Sequence, residues 1–230
     1  ADELGLDRLG VFVENQHLQA ALLKAAGQLD AVALTAPAGA LEIKPGRDGP
    51  RLSLEGEGVL KPKLIVAADG AMSPLRDAAG IGVWEGDYQQ HAVVASVMPR
   101  PAATATTWQR FTPEGPQALL PLAGGAASLV WYVKAARARE LLALDEKAFI
   151  HAVEDAFPGE LGLIDQLYGR GSFPIRRRHA KCYWKGNLVL VGDSAHAIHP
   201  LAGQGVNLGL RDAKELAARI AGAHHNALPP

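Results

Sequence analysis

Leu188-Val-Leu-Val-Gly-Asp-Ser-Ala-His-Ala-Ile-His-Pro-Leu-Ala-Gly-Gln-Gly-Val-Asn-Leu-Gly-Leu-Arg-Asp212 runs near the end of this chain, and the order of its parts decides the fold. A buried apolar strand, Leu188 to Val191, delivers a carboxylate, Asp193, to its carboxyl end. The Pro/Gly-rich loop behind it lets backbone approach a ligand, and a helix is predicted from about Val206. In open α/β sheets ligands sit at the carboxyl ends of strands. Helix amino termini favour electron-rich, partly anionic groups. A polyol bonded by Asp193, joined to a ring that gathers negative charge over the helix start, satisfies both.

Reduced flavin is such a ligand, so the segment reads as half of an FAD site. It is similar to the second FAD motif, Gly-Asp-x-x-His-x-x-x-Pro, of the aromatic-ring flavin monooxygenases related to p-hydroxybenzoate hydroxylase. Upstream, Ala68-Asp-Gly-Ala-Met-Ser-Pro-Leu-Arg76 resembles the Asp-Gly motif that this family shares between FAD and NAD(P)H. Within the family, Val13-Glu-Asn-Gln-His-Leu-Gln19, Trp108 to Pro116 with Leu119 to Leu122, Ser128 to Tyr132 and Ala202 to Gly209 are similar to the ubiquinone-biosynthesis hydroxylases. Ala79 to Val83 with Tyr88, and Arg177 to Ala180, resemble the 3-demethoxyubiquinol hydroxylase branch. The likeness runs from about Ala1 to Ala217.

The resemblance implies an α/β (mixed α+β) fold, a partial FAD-binding Rossmann-like domain with an antiparallel-sheet substrate domain of the p-hydroxybenzoate hydroxylase type. It implies NAD(P)H- and O2-dependent hydroxylation of a polyprenylated quinol or phenol, with FAD carrying the difficult chemistry. Gly192 and Asp193 would hold the ribityl chain, and Asp69 is the shared acid, with Arg76 serving FAD or the nicotinamide donor. Backbone from Ala202 to Asn207, with Gly203, Gly205 and Val206, would pack on the isoalloxazine edge, and Pro200 would border the ring. Asn15 stands where relatives put a polar residue against the flavin. No catalytic side chain is singled out, because no triad or carboxylate pair is required. A prenylated substrate implies peripheral contact with the inner face of a membrane from the cytoplasmic side, and membership of a ubiquinone-biosynthesis complex.

Each residue also has a plainer reading. Asp193 can cap its own turn, and Asp69 can be an ordinary Asp-Gly turn aspartate. Gly203 and Gly205 can be loop punctuation, and Asn15 a solvent-facing helix-start residue. His196 and His199 have the spacing of a metal pair, but further ligands at suitable spacing are not evident; His196 reads as a hydrogen bonder that fixes the loop. Arg176, Arg177 and Arg178 read as a solvated strand face, with anionic headgroups or NAD(P)H phosphates as alternative targets. Trp108, Phe111, Trp131 and Tyr132 read as core first and substrate wall second.

A family feature is not found in these residues. Relatives hold the FAD pyrophosphate on a Gly-x-Gly-x-x-Gly turn between strand and helix. Gly56-Glu-Gly58 has Lys61 where the third glycine belongs, and Gly203-Gln-Gly205 lies too far from its strand. The expectation is an internal fragment of a larger hydroxylase, binding FAD weakly or not at all by itself.

Composition excludes rather than identifies. A net charge of −1 over 230 residues gives no electrostatic reason to expect nucleic acid. The single cysteine, Cys182, rules out an intrachain disulfide framework and suits a reducing compartment. No apolar run reaches transmembrane length, and Asp2, Glu3 and Asp7 do not open a signal peptide.

Periodicity predicts a helix from Asn15 to Gln28 and short strands at Val32 to Leu34, Leu41 to Lys44 and Leu52 to Glu55. Pro45-Gly46 and Asp48-Gly-Pro50 supply the turns. Lys63 to Ala67 reads as a buried strand leading to Asp69. Ser73-Pro74 then starts a short helix that Gly80 ends. His91 to Met98, Thr106 to Phe111, Gln117 to Leu122 and Ala126 to Val133 suggest an antiparallel meander. Helices are predicted from Ala135 to Leu144 and, capped by Asp145, to Phe157; Ser172 to Arg178 returns as a strand. The tail from His224 to Pro230 looks frayed. Flavin-domain pieces are thus expected at 1–81 and 179–230, with the substrate domain at 82–178.

Three functions stay open on this evidence: a fragment of a quinone-pathway hydroxylase, the favoured reading; the same scaffold acting as a sibling phenol hydroxylase or on another soluble aromatic; and a non-catalytic binding or assembly module.

Overall fold

The computed structural model describes residues 5, 7, 10–35, 41–44, 51–54, 58–60, 62–157, 159 and 161–225. The apolar spacing around Leu18 does form a helix, α1 (Asn15–Ala26), which Gly27 closes by bonding its N–H to Leu23 O at 2.9 Å. None of its residues is buried. The strand expected at Val32 to Leu34 is not formed. Val32 N–H instead bonds Leu29 O in the turn that follows α1, and no described strand pairs with it.

Strands β1 (Leu41–Lys44), β2 (Arg51–Leu54) and β3 (Gly58–Leu60) make a three-stranded antiparallel sheet in that order. The turn residues expected at 45–50, and Gly56-Glu57, lie outside the described residues. Strand β4 (Ile65–Ala67) is shorter than expected and buried on one face only: Ile65 and Ala67 are enclosed, while Val66 is 44% exposed. Helix α2 (Pro74–Ala78) begins as predicted, with Pro74 in the first turn and Ser73 Oγ accepting Arg76 N–H at 3.0 Å. Gly80, at φ +63°, supplies the left-handed residue that ends it.

The predicted β-rich middle comprises β5 (Val83–Arg100), β6 (Trp108–Thr112), β7 (Gly115–Pro121) and β8 (Ala127–Lys134). Helices α3 (Ala135–Ala143) and α4 (Glu146–Ala156) follow, and Asp145 Oδ1 caps α4 through Ala148 N–H at 2.8 Å. Then come β9 (Leu163–Ala180), β10 (Trp184–Lys185), β11 (Leu188–Leu190), β12 (His196–Ala197) and α5 (Gly205–His225). Helix α5 starts one residue before the predicted Val206 and continues through His225, so the tail begins as helix; 226–230 lie outside the described residues.

The meander holds for β6, β7 and β8, but the sheet order β12-β9-β5-β8-β7-β6 places β5 against β8 rather than β6. Pairing runs from Gln90↔Lys134 to Val97↔Ala127 and puts Val93, Ala95 and Val97 beside Leu129 and Trp131.

The chain divides into two units. The first, Ala1–Leu34 with Gln89–Pro174, has a core of Val93, Val97, Leu129, Trp131 and Val133 roofed by Leu141, Phe149 and Val153. Phe149 and Val153 are four apart and so share a helix face. Trp131 meets Phe157 edge-on at 6.0 Å and is core, as expected; Tyr132 is 4% exposed, Trp108 packs partly buried at the core's edge, and Phe111 is 70% exposed. The second unit, Thr35–Tyr88 with Ile175–Pro230, buries Ile65, Ala67, Leu75, Ile81, Leu188 and Leu190.

Candidate functional site

The two acidic motifs meet because their strands pair. β11 runs parallel to β4 with Leu188↔Ile65, Val189↔Val66 and Leu190↔Ala67 in register, so the turns bearing Asp193 and Asp69 leave the same strand-end edge. Val191 N–H continues the ladder to Ala67 O at 3.0 Å. Ser194 Oγ lies 2.7 Å from Ala67 O and 2.8 Å from Val191 O, within reach of donating to either, and accepts Val191 N–H at 3.2 Å. Arg76 crosses from one motif to the other. Its Nη1 donates to Ala71 O at 2.9 Å and to Ser194 O, 118 residues away in sequence, at 3.2 Å. Its remaining nitrogens bond Asp77 Oδ1, and the side chain is only 3% exposed. Arg76 therefore faces inward and ties the motifs to each other.

The Gly-Asp turn is held from the helix side as well. Gly192 adopts φ +60°, a left-handed conformation natural to glycine. Its N–H donates to Asp212 Oδ2 at 2.8 Å, and the same oxygen lies 2.7 Å from His196 Nε2. A Cβ added to Gly209 would stand 3.2 Å from Gly192 Cα, so α5 crosses the turn almost backbone to backbone. Asp193 stays exposed, and its carboxylate makes no hydrogen bond or ion pair with a described residue. Asp69 is exposed too, with Oδ2 accepting Leu75 N–H at 3.1 Å, so it serves its local turn through one oxygen.

Pro200 opens a short 3-10 turn that His199 caps, Nδ1 accepting Leu201 N–H at 3.1 Å. Burial holds the His199 imidazole below its ordinary value, which favours the neutral ring that can accept this bond. His196 and His199 thus face different partners, Asp212 for one and Leu201 N–H with the Tyr88 ring for the other. Burial, and then the Asp212 charge, push the Tyr183 phenol up. Gly203 turns at φ +60° into Gly205, Val206 and Asn207, the first residues of α5. Asn15 is the first residue of α1, exposed, in the first unit.

Three residues essential to this geometry, Asp212, Ser194 and Gly209, went unmarked as site residues in the sequence. Their signal is the helix period: Gly205, Gly209 and Asp212 are spaced i, i+4, i+7 and share one face of α5.

The edge fits a flavin. It offers, at Asp193, a carboxylate without a partner among the described residues. A Cβ at Gly203 or Gly205 would meet nothing within 4 Å, so backbone is open to a flat ring there. The 21-residue helix behind it carries no acidic residue in its first turn, leaving its positive end for negative charge.

A family model described as FAD binding domain matches residues 47–227. The chain belongs to the FAD binding domain family. This FAD binding domain is 44% identical over 216 residues to 3-demethoxyubiquinol 3-hydroxylase of Escherichia coli strain K12, covering 94% of this chain and 55% of that protein. It is 37% identical to ubiquinone hydroxylase UbiL of Rhodospirillum rubrum, covering 96% and 52%. The chain thus spans about half the length of these curated relatives. Among solved structures, PqsL, a probable FAD-dependent monooxygenase of Pseudomonas aeruginosa, superposes with a TM-score of 0.75 at 23% identity over 92% of this chain and 60% of that one. That likeness shows a common fold.

Proposed function

We propose that the chain is part of a monooxygenase that hydroxylates the ring of a quinol or phenol precursor of ubiquinone, with O2 as oxygen source and NAD(P)H as electron donor. The observation that carries the reading is the parallel β4–β11 pair, which seats both flavin motifs on one edge and leaves Asp193 open there. The substrate class rests on relatives named as 3-demethoxyubiquinol 3-hydroxylase and ubiquinone hydroxylase.

FAD, when bound, supplies the redox and oxygen-activating chemistry. Asp193 accepts hydrogen bonds from the ribityl hydroxyls, with Gly192 positioning it. The start of α5, at Gly205, Val206 and Asn207, stabilises negative charge on the pyrimidine side of the ring. Pro200 and Gly203 let the ring lie close to backbone. Asp69 keeps one carboxylate oxygen for FAD or the nicotinamide donor, whereas Arg76 acts through position alone.

Segment 82–178 is the substrate domain. Within its sheet, a cleft of about 380 Å³ lined by Val94, Ser96, Ser128, Tyr168, Arg170 and Phe173 offers small, aromatic and cationic groups. No helix among the described residues is long and apolar enough to cross a membrane. The reading includes peripheral contact with the inner membrane face, where a prenyl-tailed substrate resides, and a place in a quinone-biosynthesis assembly. Mass spectrometry of quinone intermediates in cells deprived of the protein tests the reading. A prenylated precursor lacking one ring oxygen should accumulate; an unaltered quinone profile would sink it.

A further inference from the structure

Arginines 176 to 178 are consecutive on β9, yet the structure sorts them by face. Arg176 pairs with Asp87 at 3.5 Å, and Arg178 pairs with Glu85 and donates to Ala71 O at 3.0 Å. Arg177 points to the alternate face and has no acidic partner or hydrogen bond among the described residues. Its side chain lies across Gly86, where an added Cβ would come within 2.4 Å of Nε and 3.1 Å of Cγ. The absent side chain at Gly86 is what gives the guanidinium its seat. Around it stand aromatic groups: Trp84 is stacked with His179 at 5.9 Å and 29°, and Tyr88 meets His199 edge-on at 4.8 Å. Together with Ala197 and Ile198 they line a cleft of about 540 Å³, wholly within the second unit.

A planar cation without an acidic partner among the described residues, in a cleft lined by aromatic rings, matches one kind of ligand. Guanidinium groups take carboxylate or phosphate in bidentate fashion, and indole and phenol faces take flat rings. We infer that the cleft lined by Trp84, Tyr88, Arg177 and His179, with Gly86 seating Arg177, binds a planar aromatic ring bearing an anionic group. The site does not draw on Asp193, Asp69 or the glycines before α5, so it stands whether or not the flavin assignment does. An adenine nucleotide and an aryl carboxylate share the required chemistry.

Titration calorimetry of this chain with ADP, with 4-hydroxybenzoate and with inorganic phosphate tests the site. At least one ring-bearing probe should bind saturably and more tightly than phosphate, and which one does so identifies the source of the anion. Arg177→Gln should weaken that probe about tenfold or more, the effect of losing a charge-assisted pair. Gly86→Ala keeps the charge but displaces it, and should weaken binding several-fold; Trp84→Leu should do likewise. All three positions are peripheral to the apolar core, so circular dichroism and melting should stay near wild type. Absence of binding by both ring-bearing probes would overturn the inference. So would phosphate binding as tightly as either, or full affinity in Arg177→Gln.

Discussion

Arg76 and Asp193 are both charged residues of the two motifs that meet along β4 and β11, and burial separates their roles. Arg76 is enclosed, with Ala71 O, Ser194 O and Asp77 Oδ1 as its acceptors. Arg76→Met would leave Ser194 O without its donor, while Ala71 O keeps the one from Arg178, and should lower unfolding stability by about 2 kcal/mol in denaturant titration. A loss under about 1 kcal/mol would mean that the guanidinium is not the tie between the motifs. Asp193 touches no partner among the described residues, so Asp193→Ala should change stability by less than about 0.5 kcal/mol. In the flavin-loaded protein, the same change should weaken FAD at least tenfold by fluorescence titration, as charge-assisted bonds to the polyol vanish. Equal FAD affinity in the variant would remove Asp193 from the site. Nothing in the residue type tells these two apart; solvent access does.

Helix α5 meets the Gly-Asp turn through Gly209 against Gly192, with Asp212 below the contact receiving Gly192 N–H and His196. Backbone cannot yield there as a side chain can. Gly209→Val should therefore cost about 1–3 kcal/mol by overpacking and lift the helix start from the turn. Stability near wild type, with FAD affinity intact, would refute that close approach. The loop before α5 carries a pH dependence of its own. His199 is held below its ordinary value of 6.5 by burial, so its contribution to the 3-10 turn is full above that value. It is lost as pH falls through the lowered value, because the protonated ring no longer accepts Leu201 N–H. Hydrogen exchange at Leu201, corrected for intrinsic rate, should speed up from pH 7.5 to pH 5, and His199→Asn, which keeps an acceptor, should flatten the change. Identical pH profiles in both proteins would contradict the capping role.

The molecule as a whole keeps two separate apolar cores, one per unit, and each is testable by itself. Phe149 is fully enclosed in the first, among Leu141, Val153 and the inward face of β8. Phe149→Ala should cost about 3–5 kcal/mol through lost burial and a cavity, read as earlier unfolding of the first unit by exchange mass spectrometry. Equal destabilisation at β4 and β11 would show that the two cores do not unfold separately. Much of this organisation was legible locally. The capped start of α2 with Gly80 at its end, the Asp145 cap, and the strand-acid-glycine-helix order of 188–212 are written within windows of a few residues. Propensity, period and turn chemistry operate at that range. Pairing does not. The partner of β5 is β8 rather than its sequence neighbour, Val66 of an all-apolar run faces outward, and Val32 to Leu34 found no strand to join. Arg76 closed inward, Asp212 entered the site, and among the described residues Arg177, unlike Arg176 and Arg178, found no acidic partner. Those outcomes depend on which distant backbone lies alongside and how much water it excludes, and only the folded chain decides that.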